Sequence, residues 1–374
     1  MTTVIHGFCE PRFEPLREAF ERNFDEGLEL GASLAATWRG RPVVDLWAGW
    51  ADPERTRPLD ADHLAPVAST TKIMVSLCLL MLVHRGKLDL DASIATWWSE
   101  FAQGGKGAVT LRDLFSHQTG APGFDPPVPV SMMLDWGAVT ERIAAERHWS
   151  DGERRVIYHA STYGLIGGEL VRRVDGRMFA QFFGEEVAGP AGVDFYIGLD
   201  EVPNATRVAT IIPPSPQPAP EPGTLVSRLA NSVRSVDGIV GPMTLNPSFN
   251  GLGNGRSIAR ACAIFAGEGE LAGVRYVSPE LVREASREQA WGNCPYLGWV
   301  KFGLGFGLQS SAFRQPSPHA FSWGGIGGSV GVMDATLGYS MGYAPTNFAV
   351  ERLGDPRPAR LYRAMEQIAG DLPK

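Results

Sequence analysis

No apolar run in this chain reaches the length of a membrane span: the longest, Ile73 to Val83, is about half of the roughly 20 residues a bilayer-crossing helix needs. The opening residues, Met1-Thr2-Thr3-Val4-Ile5-His6-Gly7-Phe8-Cys9-Glu10, hold neither a basic stretch nor an apolar one of the signal-peptide kind. The reading is a cytoplasmic, unanchored protein with no membrane partner. Cysteine is scarce. Cys9, Cys78, Cys262 and Cys294 have no paired spacing, which suits a reducing compartment better than a disulfide framework. Positive charge is also short, with 34 Lys and Arg against 41 Asp and Glu and a net charge of -7. Without a Lys/Arg cluster to offset that balance, no nucleic-acid partner is expected. The seven histidines, His6, His63, His84, His117, His148, His159 and His319, show no ligand spacing, so neither a metal nor another cofactor is expected. There is no internal repeat, and the sequon Asn204-Ala205-Thr206 carries no weight without a secretory signal. What is present is an ordinary globular composition, 44% hydrophobic with 44 Gly and 28 Pro over 374 residues, enough for two domains or one large core with an insertion.

Phe13, Leu16, Ala19, Phe20 and Phe24 recur at helical spacing ahead of Gly27, and predict an amphipathic opening helix. Ala32 to Trp38 and Val43 to Trp50, joined by Arg39-Gly40-Arg41-Pro42, read as a hairpin. From Asp89 to about Glu288 helical patterns dominate, over Leu111 to Ser116, Gly137 to Arg147, Thr162 to Val174, Ser257 to Ala266 and Ser278 to Arg287. The run Pro213 to Pro222 interrupts them and is expected to be an extended surface loop. Short β runs return after Trp299, at Val300 to Gln309, His319 to Trp323, Ser329 to Met333 and Leu337 to Tyr343, and a helix over Ala359 to Ala369 closes the chain. The order predicts an α+β fold: a central antiparallel sheet flanked by N- and C-terminal helices, with a mainly helical inserted lobe. The sheet domain is expected over 1–88 and 289–374, the helical domain over 89–288, and a site in the cleft between them.

Chemistry concentrates at Pro66-Val67-Ala68-Ser69-Thr70-Thr71-Lys72, just ahead of the apolar run. A serine hydroxyl is a poor nucleophile until something takes its proton, and Lys72 lies one helical turn from Ser69 on the same face. Ser-x-x-Lys is common by chance, and its bland reading is a surface Ser and Lys opening an ordinary helix. However, the residues from Ile73 to Val83 are apolar nearly all round, so this helix is buried and its lysine is costly unless used. Desolvation favours the neutral amine, and the helix N-terminus favours negative charge developing at Ser69. A second candidate is Tyr158, in Tyr158-His159-Ala160-Ser161-Thr162-Tyr163-Gly164, where a loop gives way to a helix. Alone it reads as a packed aromatic, and Tyr163 is its competitor. A third is Phe321-Ser322-Trp323-Gly324-Gly325-Ile326-Gly327-Gly328-Ser329, whose glycines allow backbone to approach a ligand and whose bland reading is a bend between strands. Gly327-Gly328-Ser329-Val330-Gly331 also spells Gly-x-Ser-x-Gly, but that elbow needs a helix after it and Val330 to Met333 continues as strand. Ser329, with Asp334 as its imagined partner, is therefore rejected as nucleophile.

Ser69-x-x-Lys72, then Tyr158 before a Gly-rich helix, then Trp323-Gly324-Gly325 resemble, over nearly the whole chain, the serine β-lactamase and penicillin-binding-protein superfamily. The start at Pro66 to Lys72, Gly86-Lys87-Leu88-Asp89-Leu90-Asp91, Leu114-Phe115-Ser116-His117-Gln118-Thr119-Gly120 and Trp323-Gly324-Gly325 are most similar to the family VIII carboxylesterases, relatives of class C β-lactamases. The resemblance implies an acylated Ser69, general acid and base work shared between Lys72 and Tyr158, and an oxyanion held by the backbone N–H groups of Ser69 and Ile326. It also implies a substrate lying along Trp323, Gly324 and Gly325. Which of Lys72 and Tyr158 is the formal base stays open.

Two departures bear on substrate. Tyr158-His159-Ala160 stands where β-lactamases have Tyr-x-Asn, so an amide that contacts the acylamino group is missing, and Trp323-Gly324-Gly325 stands where they have Lys-Thr-Gly. Tryptophan offers an apolar wall and a ring N–H but no cation for a substrate carboxylate. The expectation is therefore a serine hydrolase of short neutral esters, a small-molecule substrate. Amide or lactam hydrolysis or acyl transfer on the same residues is the rival within enzymes, and an inactive ligand-binding relative is the rival outside them. Neither the physiological ester nor the oligomeric state follows from the sequence.

Overall fold

The computed structural model describes residues 3–215, 218–234, 246–349 and 355–373, so two residues of the proline run fall outside the described part. Its centre is a six-stranded sheet made from the two ends of the chain. The strands are β1 (His6–Cys9), β2 (Gly31–Trp38), β3 (Arg41–Gly49), β6 (Phe321–Gly324), β7 (Val330–Asp334) and β8 (Tyr339–Pro345). They run β1-β3-β2-β8-β7-β6, antiparallel at every pairing. Arg39 and Gly40, both at positive φ, form the two-residue turn between β2 and β3, the handedness that lets hairpin strands keep their natural twist.

Alternation along β2 assigns each face its cover. Ala32, Leu34 and Ala36 meet Leu16, Phe20 and Phe24 of helix α1 (Glu14–Asp25) and Leu361, Met365 and Ile368 of the closing helix α5 (Pro356–Asp371). The opposite face is floored by small residues. A β-carbon on Gly342 would stand 2.4 Å from the Ala259 nitrogen, so helix α4 (Gly255–Ala266) lies almost directly on the strands, with Ser340 Oγ donating to the Ala259 carbonyl at 2.7 Å. Helix α4 falls inside the range expected for the helical lobe, yet it packs on the sheet. Its apolar spacing predicts a helix, and only the floor of small residues on strands far away in sequence decides where it docks.

Helix α2 (Lys72–His84) is buried from Lys72 to Leu82, as its all-round apolarity requires. Helix α3 (Thr162–Asp175) packs against it closely because Gly167 has no side chain: a β-carbon there would be 2.7 Å from Val75 Cγ1. The middle of the chain is not helical throughout. Tyr196–Ile197 and Gly251–Gly253 are short strands, and the latter pairs with Ala65–Pro66 just ahead of Ser69. Where a strand from Val300 to Gln309 is expected, the structure has a hairpin of β4 (Ala290–Cys294) and β5 (Gly298–Phe302), and the remainder is loop. No helix among the described residues is long and apolar enough to cross a membrane.

Candidate active site

Ser69 lies in a 3-10 turn, Ala68–Thr71, that runs directly into α2. Ala68 holds φ at +45°, a left-handed conformation that costs a non-glycine residue on the order of 1 kcal/mol. The turn is held by Thr71 Oγ1, which donates to the Ala68 carbonyl at 2.5 Å and accepts from Gly251 N–H at 2.9 Å. It is also held by Ser329 Oγ, which donates to the Val67 carbonyl at 2.7 Å and lies 2.9 Å from Thr70 Oγ1. These bonds consume the Ser329 hydroxyl in a buried position. Asp334 instead receives the Ser317 hydroxyl and the N–H groups of Thr336 and Leu337, so neither residue is free for the elbow chemistry their pattern spells.

The hydroxyl of Tyr158 donates to Ser69 Oγ at 2.7 Å, and Lys72 Nζ lies 3.3 Å from the same oxygen. Three side chains from two separate segments, the Ser69 turn and the loop ahead of α3, thus meet at one atom. Lys72 is 1% exposed and also donates to the main-chain carbonyls of Ala160 and Ser248, each at 2.9 Å; among the described residues no carboxylate is a hydrogen-bond partner of it. Burial pushes its pKa well below the usual lysine value. The two carbonyls are functional groups that sequence reasoning missed, because any residue type can supply a carbonyl. Ser248 is brought into place by Asn246, whose side chain donates to Ser161 O and accepts from Ser248 N–H, and by its own hydroxyl, which receives the Gly164 N–H at 2.7 Å.

Tyr158 is fixed from behind. Its ring packs against His117 and Trp323, with centroids 5.2 and 5.6 Å away, and its N–H donates to Cys294 Sγ of the β4–β5 hairpin. His117 accepts the main-chain N–H of His159 on Nδ1, and its carbonyl oxygen accepts the Ile157 N–H. The His159 ring is braced at both nitrogens: Nδ1 faces Ile157 O and Nε2 faces Thr119 Oγ1, each at 2.6 Å, which sets Nδ1–H as donor and Nε2 as acceptor. Tyr163, the competitor, bonds Ser76 at 2.8 Å inside the core and does not reach Ser69.

Burial holds His117 well below the ordinary imidazole value of 6.5 and His159 down to about 3. Such depressed groups leave the unfolded chain as the better proton binder below about pH 6.5. Their contribution to stability is complete above that value and is lost as pH falls, at up to about 1.4 kcal/mol per pH unit for each imidazole. Denaturant midpoints measured from pH 7 to pH 4 should therefore fall, and less steeply in His159→Gln; identical slopes in the two proteins would contradict this reading.

Trp323 requires a correction. Taken from the sequence as a wall for substrate, it is 2% exposed, its ring held among His117, Tyr158, Phe302 and Phe313, so it backs Tyr158 and presents no open surface. Both faces of β6 are covered, Phe321, Ser322 and Trp323 all being buried, which the sequence alone does not disclose. Gly324, Gly325 and Ile326 are partly exposed beside Ser69. A β-carbon at Gly325 would be 2.3 Å from the Val67 carbonyl oxygen and 3.1 Å from the Ser69 nitrogen, so only glycine lets this segment lie against the Ser69 turn. The Gly325 carbonyl accepts from Gly328 N–H at 3.1 Å, and in a trans peptide the Ile326 N–H then points the opposite way, out of the Gly325–Gly328 turn.

Comparison with known proteins places these features in context. The Beta-lactamase family model matches residues 20–364. "Esterase/beta-lactamase LipL" of Mycobacterium tuberculosis is 32% identical over 354 residues, covering 89% of this chain and 81% of that protein. Among solved structures, a penicillin-binding protein homolog from Caulobacter crescentus matches with a TM-score of 0.90 and 34% identity over 98% of this chain and all of that one. A family VIII carboxylesterase matches with a TM-score of 0.89, 34% identity and the same coverage.

Proposed function

Because this chain belongs to the Beta-lactamase family and keeps a serine, a lysine and a tyrosine in mutual contact, we propose that it is a serine esterase that cleaves short neutral carboxylic esters. The observation that carries the reading is the surroundings of Lys72. Nζ has three oxygen neighbours, the carbonyls of Ala160 and Ser248 and the Ser69 hydroxyl; burial favours loss of its proton, after which the two carbonyls keep the amine's two hydrogens and its lone pair faces Ser69. Ser69 attacks the ester carbonyl as its proton passes to the Lys72 and Tyr158 pair, and the developing oxyanion rests on the N–H groups of Ser69 and Ile326. The same pair returns a proton to the leaving alcohol. Water then enters, loses a proton to the pair and attacks the acyl carbon; the Ser69–acyl bond breaks as the pair returns that proton to Ser69 Oγ, and the acid is released.

Esters are favoured over lactams by what stands at position 323. A buried tryptophan packed on Tyr158 provides no cation for the carboxylate that a β-lactam or peptide terminus carries, and an unpaired carboxylate in a half-buried cleft is costly. Turnover of an aryl acetate and of a chromogenic cephalosporin by the same preparation tests this. The aryl ester should be the better substrate in kcat/KM by roughly 100-fold or more, the value of about 3 kcal/mol for one unpaired charge-assisted contact. A cephalosporin turned over as well as the ester would overturn the assignment.

A further inference from the structure

A second buried cluster sits on the far side of the glycine turn. Arg357, at the start of α5, is completely buried, and the bonds it makes engage every nitrogen of its guanidinium. Nε donates to Asp355 Oδ1 at 3.1 Å; Nη1 donates to Glu29 Oε2 at 3.2 Å and to the Asn347 carbonyl at 2.9 Å; Nη2 donates to Asp355 Oδ2 and to the Gly327 carbonyl, both at 2.8 Å. Glu29 in turn receives the Tyr343 hydroxyl. Burying three ionisable groups is expensive, and such a cluster is weak evidence for added stability. Its geometry points elsewhere.

The Gly327–Gly328 peptide is held at both ends: its carbonyl by Arg357, its N–H by the Gly325 carbonyl. That Gly325 carbonyl belongs to the same rigid amide plane as the Ile326 N–H. Two hydrogen bonds therefore connect the guanidinium to the orientation of the proposed oxyanion donor. Gly327 and Gly328 have φ of +92° and +96°, a region glycine enters without holding it, so the turn has little stiffness of its own. Phe348 closes the remaining side, where a β-carbon on Gly327 would be 2.4 Å from its ring.

We propose that Arg357, held by Glu29 and Asp355, is a positioning residue for the oxyanion hole, fixing the turn that aims the Ile326 N–H at the reacting carbonyl. This rests on the esterase reading. The test is Arg357→Lys, which keeps the charge between two carboxylates but loses the planar fork that also reaches Gly327. Kinetics are measured on a matched oxoester and thionoester, because a thiocarbonyl accepts hydrogen bonds poorly and gains little from the hole. In a variant with native circular dichroism, kcat for the oxoester should fall roughly 10- to 100-fold, the range for a weakened oxyanion donor, with KM little changed. The oxoester to thionoester rate ratio should fall with it, a signature that a general loss of stability would not produce. An unchanged kcat, or equal losses on both substrates, overturns the proposal. If Arg357→Lys does not fold, Asp355→Asn decides by the same criteria: it removes one of the two carboxylate oxygens that hold Nε and Nη2 and leaves the glycines of the turn untouched. Wild-type protein with neither ester turnover nor a reactive Ser69 would instead overturn the esterase reading, and this proposal with it.

Discussion

Ser69→Ala and Lys72→Met should each lower kcat/KM for a short aryl ester by roughly 10⁴-fold or more, and the double variant should be little worse than either, because groups that act on one proton fail together. Methionine is the informative replacement at Lys72. It fills the same buried volume without the amine, so the protein should stay folded while the carbonyls of Ala160 and Ser248 lose their donor. Lys72→Arg should be equally inactive, since a guanidinium stays protonated and has no lone pair to offer. Because burial holds Lys72 well below the usual lysine value, the rise of wild-type kcat/KM with pH should be complete well below pH 10.5. Steady-state rates across pH, with each variant checked by circular dichroism, decide the matter. Additive losses in the double variant would mean that the two residues do not share a proton.

Tyr158→Phe is the second large effect, expected at roughly 10²- to 10⁴-fold in kcat, the usual range for removing one general acid or base. The phenyl ring keeps the contacts of the tyrosine with His117 and Trp323, and the main-chain bond to Cys294 is untouched, so the thermal midpoint should barely move. Loss of activity without loss of stability is the signature of a hydroxyl that does chemistry. A fall of the midpoint in step with the rate would assign Tyr158 to packing.

The sequence discloses these residues unequally. Ser69 and Lys72 are legible because their relation is local, one helical turn, and because an apolar run that includes Leu77, Leu79, Leu80 and Leu82 declares the helix buried. Tyr158 is 89 residues from Ser69; its place at a loop-to-helix junction favours it over Tyr163, which reads as packed in the helix, but only resemblance to a family gives it a catalytic role. Trp323 is legible in position but not in burial, since a short strand does not announce that both of its faces are covered. Helix α4 shows the same limit at the level of the fold: its periodicity is plain, its docking surface is a floor of glycine and serine on distant strands.

What escapes the sequence altogether is chemistry carried by the main chain or by residues that look ordinary. The carbonyls that receive Lys72 belong to an alanine and a serine. Glu29 and Arg357, 328 positions apart, read as two of the many charges a soluble protein displays, and only folding buries them as a pair. The expected division at 88/89 and 288/289 follows the change from strand to helix patterns, which tracks local periodicity and not the surface on which each helix comes to rest.

The central claim is that one hydroxyl among many is made nucleophilic by its neighbours. Reaction with a fluorophosphonate ester followed by peptide mass spectrometry tests it most directly. We predict a single adduct on the peptide containing Ser69, growing in step with the loss of ester hydrolysis and absent from Lys72→Met under the same conditions. An adduct on another serine, Ser329 included, or hydrolysis that continues after Ser69 is fully modified, would contradict the account.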